Sequence, residues 1–245
     1  LGQDIKGVLY PQYRSNRSNR SYSSDPSDRS APPVLSDFAQ EAIFIVEYSL
    51  ARLLEALGIE PYAMIGYSFG EYAAACISGV MTQEEALQMI VHRGRLLKTL
   101  PPGAMLSVPM EREKVEPLLA KYPGVSVAVD NGPSSLVSGP EAEIRAIEKQ
   151  MQEKRYLCMR VNVRQAMHTS QVAPILEEYA AGLREIAFKK PRIPYISNVT
   201  GKWITAKEAA DPTYYATHMR QSVRFADGLT ELLKNPHTVF IQVGP

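Results

Sequence analysis

Apolar positions along this chain change rhythm several times, and each change predicts a different element. From Ser36 the apolar residues recur at helical spacing, with Phe44, Leu50, Leu54 and Leu57 on one stripe. Ser36 can cap that helix and Gly58 can stop it. The short apolar run 62–66 then reads as a buried strand entering a turn. An Ala-rich helix over 69–78 follows, and Thr82 with Glu85 has the spacing of a capping box for the next helix.

Between about residues 103 and 164 shorter elements alternate. The pattern predicts a strand over 104–110, a helix over 111–122 and a strand over 125–129. A turn-rich 131–135 leads to a short strand at 136–138, a helix over 141–154 and a closing strand over 156–163. The order βαββαβ is the ferredoxin-like arrangement. Beyond it the pattern predicts a helix over 174–186, a strand over 193–197, a helix over 226–233 and a last strand over 238–243. Helices interleaved with buried strands point to an α/β fold with a mostly parallel sheet. The expected organisation is a large α/β subdomain made of 1–102 and 165–245, with a ferredoxin-like small subdomain, 103–164, inserted in it.

Composition adds exclusions. The chain has 245 residues, 45% hydrophobic and 22% charged, with a formal net charge of +1. That balance gives no electrostatic case for nucleic acid or a membrane surface. No apolar run is long enough to span a bilayer, and nothing resembles a signal peptide. Cys76 and Cys158, in apolar settings, read as small buried hydrophobes of a reducing, cytoplasmic compartment, with no metal-ligand spacing. Residues 13–30 are almost all Ser, Arg, Asn and Asp, and read as a mobile surface insertion or, less simply, a partner-binding segment.

Candidate chemistry centres on Gly66-Tyr67-Ser68-Phe69-Gly70, a G-x-S-x-G match. A glycine–serine turn alone has a structural reading, but this one follows a buried strand and precedes a helix, the setting of a nucleophile elbow. There a serine hydroxyl stands at a helix N-terminus, and the N–H of Phe69 can face a developing oxyanion. A serine needs a base. Of the four histidines, His92 and His237 read as solvated, and His168 lies where the chain leaves the small subdomain. Taken alone, a histidine at such a place is more often structural than catalytic.

Several stretches together carry a resemblance to the acyltransferase domains of polyketide synthases and, more distantly, to malonyl-CoA:acyl carrier protein transacylases. They are the elbow continued by Gly70-Glu71-Tyr72, the run His92-Arg93-Gly94-Arg95-Leu96-Leu97, Met167-His168-Thr169-Ser170, the segment 193–205, and Val223-Arg224-Phe225 with Val243-Gly244-Pro245. The resemblance implies Ser68 as nucleophile and His168 as base, in a dyad whose histidine is oriented by a backbone carbonyl, which it puts at His218. It implies that Arg93 takes the substrate carboxylate, where the bland reading is a solvated helix arginine. It also implies that Met167, Gln165 and Phe69 influence the choice of extender unit.

The function implied is transfer of a malonyl-type unit from coenzyme A to the phosphopantetheine thiol of an acyl carrier protein. The expected partners are that carrier and neighbouring synthase domains, with no metal or other bound cofactor. A serine hydrolase or thioesterase using the same dyad is the alternative. Two departures stand out. Tyr67 occupies a position where the family usually has histidine, and the Gly/Gln-rich segment that supplies a second oxyanion donor is absent upstream of Leu1. A fragment with impaired activity is therefore expected.

Overall fold

The computed structural model describes residues 39–244. The insertion at 13–30 and the Ser36 cap lie outside the described residues. Helix α1, Ala39–Ala56, ends where Gly58 takes a φ of +82°, a left-handed conformation that glycine adopts without steric cost. It packs on α2, Gly70–Ile77, and α3, Gln83–Leu97. The predicted stripe holds at Phe44, which is fully buried, and fails at Leu50 and Leu57, which are exposed. The helix touches the core along the Phe44 edge only, and the described residues leave the leucine edge uncovered.

Strand β1, Met64–Ile65, runs parallel to β6, Tyr195–Ile196. Only the centres of the two predicted strands form a ladder. The predicted strand over 238–243 does not form: Val239, Phe240 and Ile241 are exposed and unpaired. Apolar alternation becomes a strand only where a neighbouring edge accepts its backbone bonds, and no described strand does so. The helix predicted over 174–186 is split into a 3₁₀ turn, Ser170–Ile175, and α6, Leu176–Gly182. Pro174 lies in the turn, where its missing N–H is tolerated. The Thr82–Glu85 capping box forms in both directions at 3.2 and 2.7 Å.

The βαββαβ unit forms as predicted, with β2 Gly103–Val108, α4 Arg112–Leu119, β3 Ser126–Asp130, β4 Ser135–Pro140, α5 Glu141–Glu153 and β5 Met159–Val161. The sheet order is β5-β2-β4-β3, antiparallel throughout, as a ferredoxin-like sheet requires. Its β3 edge is then extended by β7, Val223–Arg224, which pairs in parallel. That extension ties the last part of the chain to the small unit. Helices α7 Ala206–Ala209, α8 Pro212–Arg220 and α9 Phe225–Leu232 complete the described elements.

Two hydrophobic cores result. Ala104, Leu106, Val108, Val127 and Val137 pack with α4 and α5. Met105, Ala128 and Leu136, the alternate residues of the same strands, join the larger core with α2, α3 and α8. The two-residue period of a strand thus sends one face of the small sheet to each core. The site lies beside that junction.

Candidate active site

The elbow is built by backbone sterics. A Cβ on Gly66 would stand 2.1 Å from the Glu71 nitrogen, so strand and helix meet here only through glycine. Ser68 is held at φ +48°, an uncommon conformation for a residue with a side chain. The N–H groups of Gly70, Glu71 and Tyr72 donate to the carbonyls of Tyr67, Ser68 and Phe69. Phe69 occupies the N-cap of α2, with its own N–H at the open end of the helix.

His168 meets the serine directly. Its Nε2 lies 2.7 Å from Ser68 Oγ, across 100 residues of sequence. Its Nδ1 lies 2.8 Å from the carbonyl oxygen of Gln221. A carbonyl only accepts, so Nδ1 carries the proton and Nε2 presents a lone pair to the hydroxyl. The ring is buried, and its backbone, at φ +60°, is fixed by an N–H bond of 3.1 Å to the Met219 carbonyl. Burial pulls the His168 pKa down to about 4, opposed by the Gln221 carbonyl and helped by the positive charge of Arg93. The orienting carbonyl is therefore that of Gln221 and not of His218, which was expected in that place. His218 lies in the last turn of α8, whereas Gln221 is extended just past the helix end, which turns its carbonyl toward the ring. The carbonyl of His218 supports the charged form of His168 to a smaller degree.

Arg93 is no solvated helix arginine. It is 2% exposed, with its guanidinium carbon 5.5 Å from the ring centroids of both Phe69 and Tyr72. Nη1 donates to Gln40 Oε1, and Nε is buried with no hydrogen-bond partner among the described residues. Its positive charge lowers the pKa of His168 and of His218. A buried guanidinium with donors to spare is matched to a carboxylate ligand.

Residues 33–245 match the family model described as acyl transferase domain. The chain belongs to the acyltransferase domains of polyketide synthases. It is 38% identical over 212 residues to the mycoketide-CoA synthase of Mycobacterium tuberculosis, a match covering 86% of this chain and 5% of that protein. The spectinabilin polyketide synthase system protein NorB of Streptomyces orinoci is 34% identical over 245 residues, covering 99% of the chain and 11% of that protein. Among solved structures, the acyl transferase domain of ZmaA superposes with a TM-score of 0.83 at 42% identity, covering 98% of this chain and 53% of that one. The acyl transferase domain of SpnD, in complex with 2-(pent-4-yn-1-yl)malonyl, gives 0.81 at 38% identity over 86% and 51%. The chain thus spans a small part of these synthases and about half of these two solved chains.

In this acyltransferase domain Met167 is buried in the larger core, while Gln165 and Phe69 are half-buried. Phe69 stacks on Tyr72 at 5.4 Å. Tyr67 is exposed and meets Phe225 edge-on at 4.9 Å. Gln40 and Gln221 were missed in the sequence. Gln40 left no signal beyond a polar position near the start of α1, and Gln221 acts through its backbone, which carries no side-chain signature. His92 is half-buried, stacking on Tyr179 at 5.8 Å with Nε2 3.4 Å from the Glu178 carbonyl. A cleft of about 290 Å³ opens beside His168, lined also by Arg112, Glu116, Arg220, Gln221 and Ser222. Among the described residues no group of three or more His, Cys, Asp or Glu is arranged to hold a metal ion. Both cysteines are free, and no described helix is long and apolar enough to cross a membrane.

Proposed function

We propose that this domain moves a malonyl-type unit from coenzyme A to the phosphopantetheine thiol of an acyl carrier protein through an acyl-Ser68 intermediate. The observation that carries the reading is the 2.7 Å approach of His168 Nε2 to Ser68 Oγ at an elbow overlooked by a buried arginine. In the first step His168 takes the Ser68 proton as Oγ attacks the thioester carbonyl. The oxyanion forms near the Phe69 N–H, where a helix N-terminus favours negative charge. The C–S bond then breaks, and the departing thiolate receives the proton from His168. In the second step the carrier thiol gives its proton to His168 and its sulfur attacks the acyl ester. The C–O bond breaks and Ser68 recovers its hydrogen.

Burial keeps His168 unprotonated through neutral pH, so its lone pair is available throughout that range. Arg93 binds the free carboxylate of the extender unit, while Met167 and Phe69 restrict its α-carbon. The reaction draws on coenzyme A thioesters of the cytoplasm and uses no bound cofactor, and the carrier and neighbouring synthase domains are its partners. Hydrolysis by the same dyad is disfavoured by Arg93, which an esterase of neutral acyl groups has no reason to bury.

Incubation with radiolabelled malonyl-CoA, with and without carrier protein, tests the reading. Label on the carrier is expected. Free malonate alone would make the protein a hydrolase, and an unlabelled protein with intact substrate would remove the enzymatic reading.

A further inference from the structure

Glu71 lies three residues beyond the nucleophile in the first turn of α2, and is 2% exposed. Its Oε1 accepts from the Tyr214 hydroxyl at 2.5 Å, and its Oε2 accepts from the Asn198 N–H at 2.7 Å. Asn198 Nδ2 in turn donates 2.8 Å to the carbonyl of Gly66, the residue at which the chain enters the elbow. The same Oε2 stands 3.5 Å from Nε2 of His218. The His218 ring, also 2% exposed, meets His168 nearly at right angles, with centroids 6.0 Å apart. Its ring nitrogens have no side-chain hydrogen-bond partner among the described residues; the Ser68 backbone supports its charged form, and the Glu71 carboxylate stands beside Nε2.

We propose that Glu71 is a positioning residue for the dyad, its carboxylate and the His218 ring forming a buried pair that holds the elbow and supports the imidazolium of His168. The inference rests on the Ser68–His168 reading above. Both dyad residues have left-handed backbones, and such strain persists only where surrounding bonds over-determine it. Glu71 meets that need on the serine side through Asn198 and Gly66. On the histidine side α8 carries His218, which faces the His168 ring, and Met219, whose carbonyl holds the His168 N–H.

Charge adds a second part. Burial pushes the Glu71 pKa up to about 7, opposed by the bonds from Tyr214 and Asn198. The other ionisable groups against the carboxylate are Tyr72 of its own helix, Tyr195 of β6, Tyr215 and His218 of α8, and Glu208 of α7. The positive charge of Arg93, on α3, opposes protonation of both histidines. Burial holds His218 well below its ordinary range, so it stays neutral beside the carboxyl. Glu71 therefore gains its charge as pH rises through neutrality. That charge favours the proton on His168 while Ser68 attacks.

The test is inactivation of the full chain by an alkyl fluorophosphonate, which needs the dyad and no thioester. Serine oxygen bonds to phosphorus, fluoride leaves, and the serine proton passes through His168 to water. The inactivation rate is expected to rise on the order of tenfold between about pH 6 and 8 in the native protein. In Glu71→Gln, which keeps an acceptor for Asn198, that step is expected to vanish, leaving a flat profile. Melting temperatures of native and variant proteins identify any loss of folding, and rates are compared where both are folded. An unchanged step in Glu71→Gln overturns the inference. If that variant is unfolded, Glu71→Asp decides: a step at shifted pH supports the pair and an unmoved step overturns it. Absence of labelling at Ser68 in the native protein overturns the dyad reading itself, a separate outcome.

Discussion

Ser68 and His168 come together as a pair with left-handed backbones, a conformation that persists only where the surrounding structure holds it. Ser68→Ala is expected to abolish the acyl adduct seen by intact mass while leaving the melting temperature nearly unchanged. His168→Ala should slow acylation by several orders of magnitude, since the hydroxyl loses its base. A residual loss below about tenfold would point to a different base. Arg93→Ala should act selectively, costing on the order of 2–5 kcal/mol for malonyl transfer and little for acetyl. Equal losses for both would make Arg93 structural. Glu71 gives a stability test whose sign follows from its raised pKa. Between the unfolded value of 4.5 and about 7 the folded state holds more protons, so native stability falls as pH rises across that window. Glu71→Gln has no such proton, and its stability relative to native should improve from pH 5 to 8 in paired denaturant melts.

At the scale of elements, the elbow is a junction where α2 can follow β1 only if Gly66 lacks a side chain. Gly66→Ala sets a Cβ against backbone atoms of Gly70 and Glu71 at 2.1–2.5 Å, and backbone cannot swing aside as a side-chain tip can. A loss of at least about 1–3 kcal/mol is expected, with acylation impaired in whatever folds. Native-like melting and acylation in that variant would refute the close approach. This element was legible in the sequence because its chemistry is local: a buried strand, G-x-S-x-G and an Ala-rich helix sit in one short window. The Thr82 capping box and the βαββαβ order were legible for the same reason, each being set by spacing or alternation. What escaped were features fixed by distant partners. Gln221 enters through a carbonyl, β7 is a two-residue strand that exists only because the β3 edge accepts it, and Gln40 matters only because Arg93 lies beside it. The same dependence works in reverse at 238–243, where an apolar alternation without a receiving edge forms no strand.

At the scale of the whole molecule, the two cores meet along the small sheet, and the chain returns from one to the other at 164–168. Gly103 N donates 2.8 Å to the Arg164 carbonyl, and a Cβ on Gly103 would lie 2.6 Å from Ala166, so this return is tightly set. Met167 follows at once, packed in the larger core beside His168. A side chain so placed can shape the site only by occupying volume, and a bulky one beside the substrate α-carbon disfavours a branch methyl. Shape discrimination of one methyl is worth about 1–3 kcal/mol. Methionine is flexible enough to yield some of that space, which puts the expectation in the lower part of the range. With malonyl-CoA and methylmalonyl-CoA competing at equal concentration, malonyl should therefore prevail with measurable leakage. Met167→Ser should narrow the gap by opening volume, and Phe69, stacked on Tyr72, should remain as the second wall. A methylmalonyl preference in the native protein, with Met167→Ser changing little, would show that selection is made elsewhere in the site.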